Sequence, residues 1–510
     1  MRRAALLVAG ALAAAFTQVP ASAATSAVPV VPGWTFAGQN ASNTRYAATE
    51  TAISPANAGT LKPRWTATLG GNVSATPTVS LGTVYVPDYG GKLSAVDALT
   101  GAVRWQRPVS AYSGVAGDVS RTSPAVAGTE IVFGDGVSSR PGTGGAHVMA
   151  ADRLTGAPRW NTLIDADPAA MVTTSPVVDG NTVYVGTASR AEFGDEHPVR
   201  FQGAVVALNA TTGTVLWRRS MAPDGYTGNS VWGSSFAVDH ATGRLFVTTG
   251  NNYTVPDGVC TRPGQTGCEP GPDDNYTDAV VALNLATGAV DWSFKTLSAD
   301  VGTEDCAACG PDFDFGSAPN LYQAGGRTIL GAGQKSGIYW ALDPATGKEL
   351  WHTQVGPGSD LGGIEWGSAT DGRRVYVGIG NAEHEEYDIT GADGTTTTID
   401  GGSWAALDAA TGKILWQVAD PYGTLDVGFL SAANGVVYAG GINGAADTMF
   451  ALNAADGRIL WRYDSGGAVV GGAAIVAGTV YWGSGYWFGL CAGGTYDCAQ
   501  NDKLYAFSPS

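Results

Sequence analysis

The chain has 510 residues, of which 44% are hydrophobic, 14% charged and 73 are glycine, with a formal net charge of −17. So acidic a balance argues against nucleic acid and anionic membranes as partners, and the apolar content is too high for a disordered chain. Low charge with abundant glycine suits a turn-rich all-β protein, although length alone would suggest about three domains.

The chain opens with Met1-Arg2-Arg3, an apolar run over 4–16 and the small-residue site Ala21-Ser22-Ala23. This pattern predicts an export signal over 1–23, cleaved after Ala23, and a secreted or extracytoplasmic domain over 24–510. Loss of Arg2 and Arg3 leaves 26 basic against 45 acidic residues. An acidic surface of this kind keeps a secreted protein in solution and can also steer a basic partner. No later apolar run reaches the roughly 18 residues needed to span a bilayer.

The next signal is AVDALTGAVRW (95–105), which returns as AADRLTGAPRW (150–160), ALNATTGTVLW (207–217), ALNLATGAVDW (282–292), ALDPATGKELW (341–351), ALDAATGKILW (406–416) and ALNAADGRILW (451–461). Each copy predicts a hairpin: an apolar strand, an Asp- or Asn-initiated turn closed by glycine, and a strand ending in Trp. The motif glycines stand 55, 57, 75, 59, 65 and 45 residues apart, room for four short strands and variable loops. That period predicts propeller blades. The runs 478–483 and 503–507 lack a following turn and Trp, while LKPRWTATL (61–69) ends a blade without starting one. Pairing them predicts an eighth blade, so the expected fold is one eight-bladed β-propeller closed by its two termini, with no open sheet edge. The motif Trp residues are expected to pack between blades.

Six cysteines fall into three local pairs, Cys260 with Cys268, Cys306 with Cys309 and Cys491 with Cys498, which in an oxidising compartment predict three short disulfides. Cys306-Ala-Ala-Cys309 has no second ligand pair for zinc, and Gly310 stands where c-type haem attachment needs His. The five histidines (147, 197, 240, 352, 384) are scattered and predict structural or exposed roles. Asn40, Asn209 and Asn275 begin glycosylation sequons.

Chemistry is expected where the sequence departs from its repeat, in loops that converge on the propeller axis. Four stretches stand out: GDVSRTSPAV (117–126), TTSPVVDGNTVYVGTASRAEFG (173–194), GNSVWGSSFAVDHATGRLFVTTGNNY (228–253), and GPDFDFGSAPNL (310–321) with GQKSGIYWALD (333–343). Together with the repeat and GTVYWGSGY (478–486), these resemble the quinoprotein alcohol dehydrogenases that use pyrroloquinoline quinone (PQQ), most similarly those that oxidise polyvinyl alcohol. The resemblance covers nearly all of the mature chain.

It implies a site. Glu192 and Asn251 match metal-binding positions, Asp312 matches the catalytic Asp beside the metal, and Asp314, two residues along a strand-like stretch, adds a further oxygen ligand. These are hard donors suited to Ca²⁺; an Asp at the Asp314 offset also accompanies lanthanide use in some relatives. Arg121 and Lys335 match basic contacts to PQQ, Trp232 matches the Trp on which the ring lies, and Thr174 matches a hydroxyl that holds a PQQ carboxylate. The implied reaction is oxidation of an alcohol, secondary alcohols, diols and polyvinyl alcohol among the candidates, by hydride transfer to PQQ with Asp312 as general base. Electrons then pass to an external acceptor, because no haem motif is present. Two positions depart from the family: Gly117-Asp118 stands where many relatives carry adjacent cysteines, and Glu365 where several have Asn.

Two other readings compete. A non-enzymatic propeller acting as an extracytoplasmic binding or assembly scaffold shares the Trp-ended repeat and predicts neither cofactor nor metal. Glycoside hydrolysis needs two opposed carboxylates, whereas Asp312 and Asp314 are sequence neighbours with no identifiable opposing partner.

Overall fold

The computed structural model describes residue 1 and residues 33–136, 144–193, 200–233, 235–259, 271–297, 300–302, 311–359, 361–442, 446–486 and 498–510. Eight four-stranded antiparallel sheets carry the chain. Blade 1 comprises Thr78–Ser80, Thr83–Asp88, Lys92–Asp97 and Val103–Pro108, and blade 2 Ala125–Ala127, Glu130–Gly134, Ala146–Asp152 and Pro158–Asp165. Blade 3 comprises Val177–Asp179, Thr182–Gly186, Ala204–Asn209 and Val215–Ser220, and blade 4 Ala237–Asp239, Arg244–Thr248, Ala279–Asn284 and Val290–Lys295. Blade 5 comprises Asn320–Ala324, Arg327–Gly333, Ile338–Leu342 and Glu349–Gln354, and blade 6 Ala369–Thr370, Arg374–Ile379, Ser403–Asp408 and Ile414–Ala419. Blade 7 comprises Ser431–Ala433, Val436–Gly440, Met449–Asn453 and Ile459–Tyr463. Blade 8 takes Ala474–Val476, Thr479–Gly483 and Lys503–Pro509 from the C-terminal end and Leu61–Thr68 from the N-terminal end, paired from Leu61 with Pro509 to Thr68 with Lys503. The eighth blade is thus assembled as the sequence predicts.

The repeat motif explains how blades adhere. In the first turn Asp97 Oδ1 accepts the amides of Leu99 and Thr100 and the Thr100 hydroxyl, while the Gly101 amide closes on the Asp97 carbonyl at 2.9 Å. Gly101 then takes a φ of +75°, which glycine adopts without steric cost. Its missing side chain has a second use, because a Cβ there would lie 2.8 Å from the ring of Trp65 in the preceding blade. The same interlock recurs from Trp105 on Gly156 through Trp416 on Gly457. The indole N–H of Trp65, Trp105, Trp160, Trp217, Trp292, Trp416 and Trp461 donates to a carbonyl of the next blade at 2.9–3.2 Å. The inter-blade role expected for the motif Trp residues is what the structure contains.

An unforeseen feature lies ahead of the blades. Over residues 34–47, backbone hydrogen bonds join Trp34 to Val79, Thr35 to Val126, Ala41 to Val238, Ser42 to Leu321, Thr44 to Thr370 and Arg45 to Ala432. The segment therefore ties together the inner strands of six blades. Arg45 is fully buried, with Nε donating to the Leu430 carbonyl at 2.8 Å and the guanidinium 4.4 Å over the Phe429 ring; burial lowers its pKa to about 9.

Of the histidines, His147 is buried against Asp135 at 2.7 Å, His352 meets Glu349 at the surface, and His197 lies outside the described residues. Each predicted cysteine pair has at least one member outside the described residues. Asn275 is buried and its amide donates to Asn252 Oδ1 at 2.7 Å, which closes that sequon to modification.

Candidate active site

Antiparallel order puts two sets of loops on one face: those entering each inner strand and those joining the second strand of a blade to its third. The entry loops supply Arg121 to blade 2, Thr174 to blade 3, Trp232 to blade 4, Asp312 and Asp314 to blade 5 and Glu365 to blade 6. The other loops supply Glu192 from blade 3, Asn251 from blade 4 and Lys335 from blade 5. Every site residue expected from sequence stands on this face.

Three neighbouring blades converge on an acidic knot. One carboxylate oxygen from each of Glu192, Asp312 and Asp314 lies within 4.8 Å of the other two. Asn251 turns its amide N–H toward the Gly302 carbonyl at 3.2 Å, which leaves Oδ1 buried and without a partner; Asp312 Oδ1 is in the same condition. Buried acceptors are normally satisfied, so two unpaired beside clustered carboxylates form a donor set for a hard cation. Glu192 Oε2 accepts the Tyr253 hydroxyl at 3.1 Å, and that hydroxyl lies 2.6 Å from Ser230 Oγ.

Asp312 and Asp314 reach this knot differently from the strand alternation expected of them. The stretch is not a strand, and Asp312 sits at φ +51°. A left-handed residue turns the chain, so both side chains arrive on one side without a pleat. The turn is braced by Asp300, whose Oδ2 accepts the Phe313 amide at 2.9 Å. Asp314 Oδ1 accepts the Asn251 amide at 2.7 Å and Oδ2 the Trp232 indole N–H at 2.6 Å. Gly250 permits this approach, since a Cβ there would lie 2.6 Å from Asp314 Oδ2.

Lys335 is the knot's cation. Its Nζ is 2.8 Å from Asp312 Oδ2 and 3.8 Å from Asp314 Oδ2, and stands 5.3 Å from the centre of the Trp232 ring. Burial alone would lower the Lys335 pKa, but Asp312, Asp314, Glu365 and Glu192 together hold it well above the usual lysine value. Burial drives the Asp312 carboxyl well up, and Lys335 opposes that shift. Behind them Asp278 is raised strongly and Asp300 to about 6, in both cases chiefly by burial and then by neighbouring carboxylates, with backbone amides opposing the rise at Asp300. Paired charges, dense negative potential and perturbed acids in one spot mark a functional site.

Across from Trp232, the Arg121 guanidinium lies 5.9 Å from the Trp366 ring centre and 6.0 Å from that of Tyr486. Glu365 is 6% exposed and acts electrostatically on both Arg121 and Lys335. Lys335, Arg121 and Trp232 thus offer two cations and an aromatic face, the chemistry required by a flat polycarboxylate. Thr174 is fully buried and its hydroxyl donates to the Val231 carbonyl, so it braces the segment that carries Trp232. Sequence reasoning missed Tyr253, Asp278 and Asp300, which act through neighbours and lie in no recurring pattern; the pair Asn252-Tyr253, directly after Asn251, was the one available cue.

Known proteins are similar to this chain in sequence and fold. The β-propeller domain of glucose/ethanol/alcohol dehydrogenases matches residues 34–358, and the outer membrane protein assembly factor BamB matches residues 400–495. The polyvinylalcohol dehydrogenase of Sphingopyxis sp. is 30% identical over 89% of this chain and 72% of its own length, and that of a Pseudomonas species 29% over 89% and 73%. The solved structure of quinohemoprotein alcohol dehydrogenase ADHIIG from Pseudomonas putida HK5 superposes with a TM-score of 0.71 at 20% identity, covering 94% of this chain and 80% of that one. The fold is therefore the eight-bladed quinoprotein propeller. By family match and by relatives, this chain belongs to the PQQ-dependent alcohol dehydrogenases, oxidoreductases that act on CH–OH groups.

Proposed function

We propose that the protein is an exported PQQ-dependent dehydrogenase of secondary alcohols, with diols and polyvinyl alcohol as candidate substrates and an external protein or dye as electron acceptor. The observation that carries this reading is the pair of unpartnered acceptors, Asn251 Oδ1 and Asp312 Oδ1, at the Glu192–Asp312–Asp314 cluster beside Lys335. Glu192, Asn251, Asp312 and Asp314 would hold Ca²⁺, with a lanthanide as the alternative ion. Arg121, Lys335 and Trp232 would hold PQQ, with Thr174 supporting the Trp232 segment. When bound, PQQ supplies the two-electron acceptor and the cation supplies Lewis-acid polarisation.

The chain's own residues prepare the proton transfer. The Asp312 carboxylate, held at Oδ2 by Lys335 at 2.8 Å, is the group that would accept the substrate hydroxyl proton. The left-handed backbone at Asp312, tied through the Phe313 amide to Asp300, fixes where that carboxylate points. Glu192 is kept in place by Tyr253, and Asp314 by two N–H donors. Cleavage after Ala23, the domain over 24–510 and the three cysteine pairs belong to the same reading of an exported protein.

The deciding experiment is PQQ uptake by the mature protein with Ca²⁺ supplied, followed by dye-linked oxidation of secondary alcohols and diols, with Asp312→Ala and Glu192→Ala alongside. Metal-dependent uptake with activity lost in both variants is expected. Failure to bind PQQ under either calcium or a lanthanide overturns the assignment. It would favour the assembly-scaffold reading, which the match of residues 400–495 to an assembly factor keeps in view.

A further inference from the structure

The link from blade 6 to blade 7 buries a second group of oxygens, away from the acidic knot. Asp420 follows the outer strand of blade 6, and Asp426 precedes the inner strand of blade 7. Asp420 is 4% exposed and Asp426 1%, and among the described residues no cationic side chain acts on either. Asp420 is satisfied locally, since Oδ1 accepts the Tyr422 amide at 2.6 Å and Oδ2 the Thr424 hydroxyl at 2.7 Å. Asp426 differs: both its oxygens are sealed from solvent, and neither accepts a hydrogen bond from an N–H or O–H donor. Burial, and then the charge of Asp420, drive its carboxyl well up.

Two glycines keep the space around these oxygens open. A Cβ on Gly402 would lie 2.2 Å from the Thr424 carbonyl oxygen, 2.7 Å from Asp426 Oδ2 and 2.9 Å from the Ile379 carbonyl oxygen. One on Gly441 would lie 3.4 Å from Asp420 Oδ2, 3.5 Å from Thr424 Oγ1 and 3.6 Å from Asp426 Oδ1. Neither glycine has a left-handed φ, so neither is required by its own backbone, and both serve through the side chain they lack. The three heavy atoms nearest each missing Cβ are all oxygens.

A carboxylate buried in this way needs a proton or a cation. One proton shared with Asp420 would engage a single oxygen of Asp426 and leave the other bare, whereas a cation engages both. Carboxylate, hydroxyl and carbonyl oxygens without nitrogen or sulfur select a hard ion. In a place closed to solvent, calcium is favoured over magnesium, which keeps several of its waters.

We propose that Asp420, Thr424 and Asp426 form a second cation site, which takes Ca²⁺ through both oxygens of Asp426, Asp420 Oδ2 and Thr424 Oγ1. It is separate from the set of Glu192, Asp312 and Asp314 on blades 3 and 5, and it does not depend on the dehydrogenase reading. Val427, the next residue, shares an apolar cluster with Trp366 and Tyr486, the rings that flank Arg121. The ion therefore fastens a wall of the candidate active site without entering it.

The test uses the whole mature protein, stripped of metal with a chelator, in a Glu192→Ala, Asp312→Ala background that disables the knot. Calorimetric titration with calcium chloride should show one Ca²⁺ per chain. Asp426→Asn added to this background should weaken that binding at least about tenfold. Thr424→Val, which keeps the volume and both carboxylates, should weaken it by a smaller factor, and it carries the comparison if Asp426→Asn does not fold. Ca²⁺ should also raise the melting temperature of the background protein as its concentration rises, and leave that of Asp426→Asn in place. No Ca²⁺ bound in this background, or binding unchanged by Asp426→Asn and Thr424→Val, overturns the proposal. So does stabilisation by acid without any response to Ca²⁺, which would identify a proton shared between Asp420 and Asp426. Because the background lacks Glu192 and Asp312, none of these outcomes bears on the dehydrogenase reading.

Discussion

The two ends of each blade obey opposite rules. At one end seven turns repeat a single solution, an Asp or Asn cap, a left-handed glycine and a Trp from the neighbouring blade laid on that glycine. At the other end the loops differ in sequence from blade to blade, and those of blades 3 and 5 bring Glu192, Asp312 and Asp314 to one point. The repeated end spreads stability over many similar contacts, so each is replaceable. The unrepeated end concentrates chemistry in a few side chains with no substitute. Substitutions at the second end should therefore remove activity with little loss of fold, and those at the first should do the reverse.

The largest expected effect is at Asp312. Asp312→Asn keeps the volume and a hydrogen-bond acceptor for Lys335 but removes the base, and kcat/KM should fall by at least about 10³-fold. Urea unfolding would show whether the fold survives; a variant that keeps a tenth of its activity would remove Asp312 from the reaction. Glu192→Gln should weaken Ca²⁺ binding by about 10–100-fold, measured by titration of metal-stripped protein, since one anionic ligand becomes neutral.

At the repeated end the sharpest probe is Gly213. Its φ is +71°, and a Cβ there would lie 2.5 Å from Trp160 Cε3 and 2.7 Å from Thr162 Oγ1. Gly213→Ala should cost about 3 kcal/mol through backbone strain and displacement of the indole. Turnover per folded molecule at 25 °C should not change. A loss of kcat without a loss of stability would mean that the two ends are coupled.

Why one end was legible in the sequence and the other only in part follows from the same contrast. A motif used seven times announces its spacing and its Trp, and the two unmatched strand runs at the chain ends could pair only with each other. The site residues were found from motif resemblance, not from local physics. Asp312 and Asp314 were expected to share a side by strand alternation, and they do so through a left-handed turn, which Asp tolerates better than most residues but which strand alternation does not contain. Asp300 and Asp278 were invisible because a carboxylate that braces a backbone amide or faces another carboxylate has no sequence signature. The segment over 34–47 was equally silent. It is tied mainly by backbone hydrogen bonds, and its buried Arg45 resembles any surface arginine when seen as a letter.

Asp118 tests the loop face at a buried carboxyl. Its Oδ2 has no partner, and burial followed by the charge of Asp135 raises its pKa to about 7. A carboxyl whose folded pKa lies above its unfolded value gives stability that is complete below about pH 4 and lost as pH rises toward 7. Asp118→Asn removes that loss. The variant should gain up to about 4 kcal/mol over the parent at pH 8, less whatever its amide fails to satisfy, and match it near pH 4. A difference that is the same at both pH values would show that the carboxyl does not titrate in this range.

The smallest effect should come from a charge at the repeated end. Asp97 meets Arg104 at 2.6 Å, and this contact, with the Thr100 and Leu99 donors, holds its pKa below the ordinary carboxylate value. The sign is opposite to that at Asp118: any stability from the charge is present above the unfolded pKa and is lost as pH falls through the folded one. Yet the pair is exposed, 42% at Arg104 and 24% at Asp97, and solvent screens it. The chain contains its own control. Asn209 occupies the same place in blade 3, accepts the amides of Thr211 and Thr212 and the Thr212 hydroxyl, and closes the turn without a charge. Asp97→Asn should therefore move Tm by less than about 2 °C at pH 7. A larger fall that disappears in acid would place real stability in the ion pair, and would mean that the turns are less interchangeable than their common sequence implies.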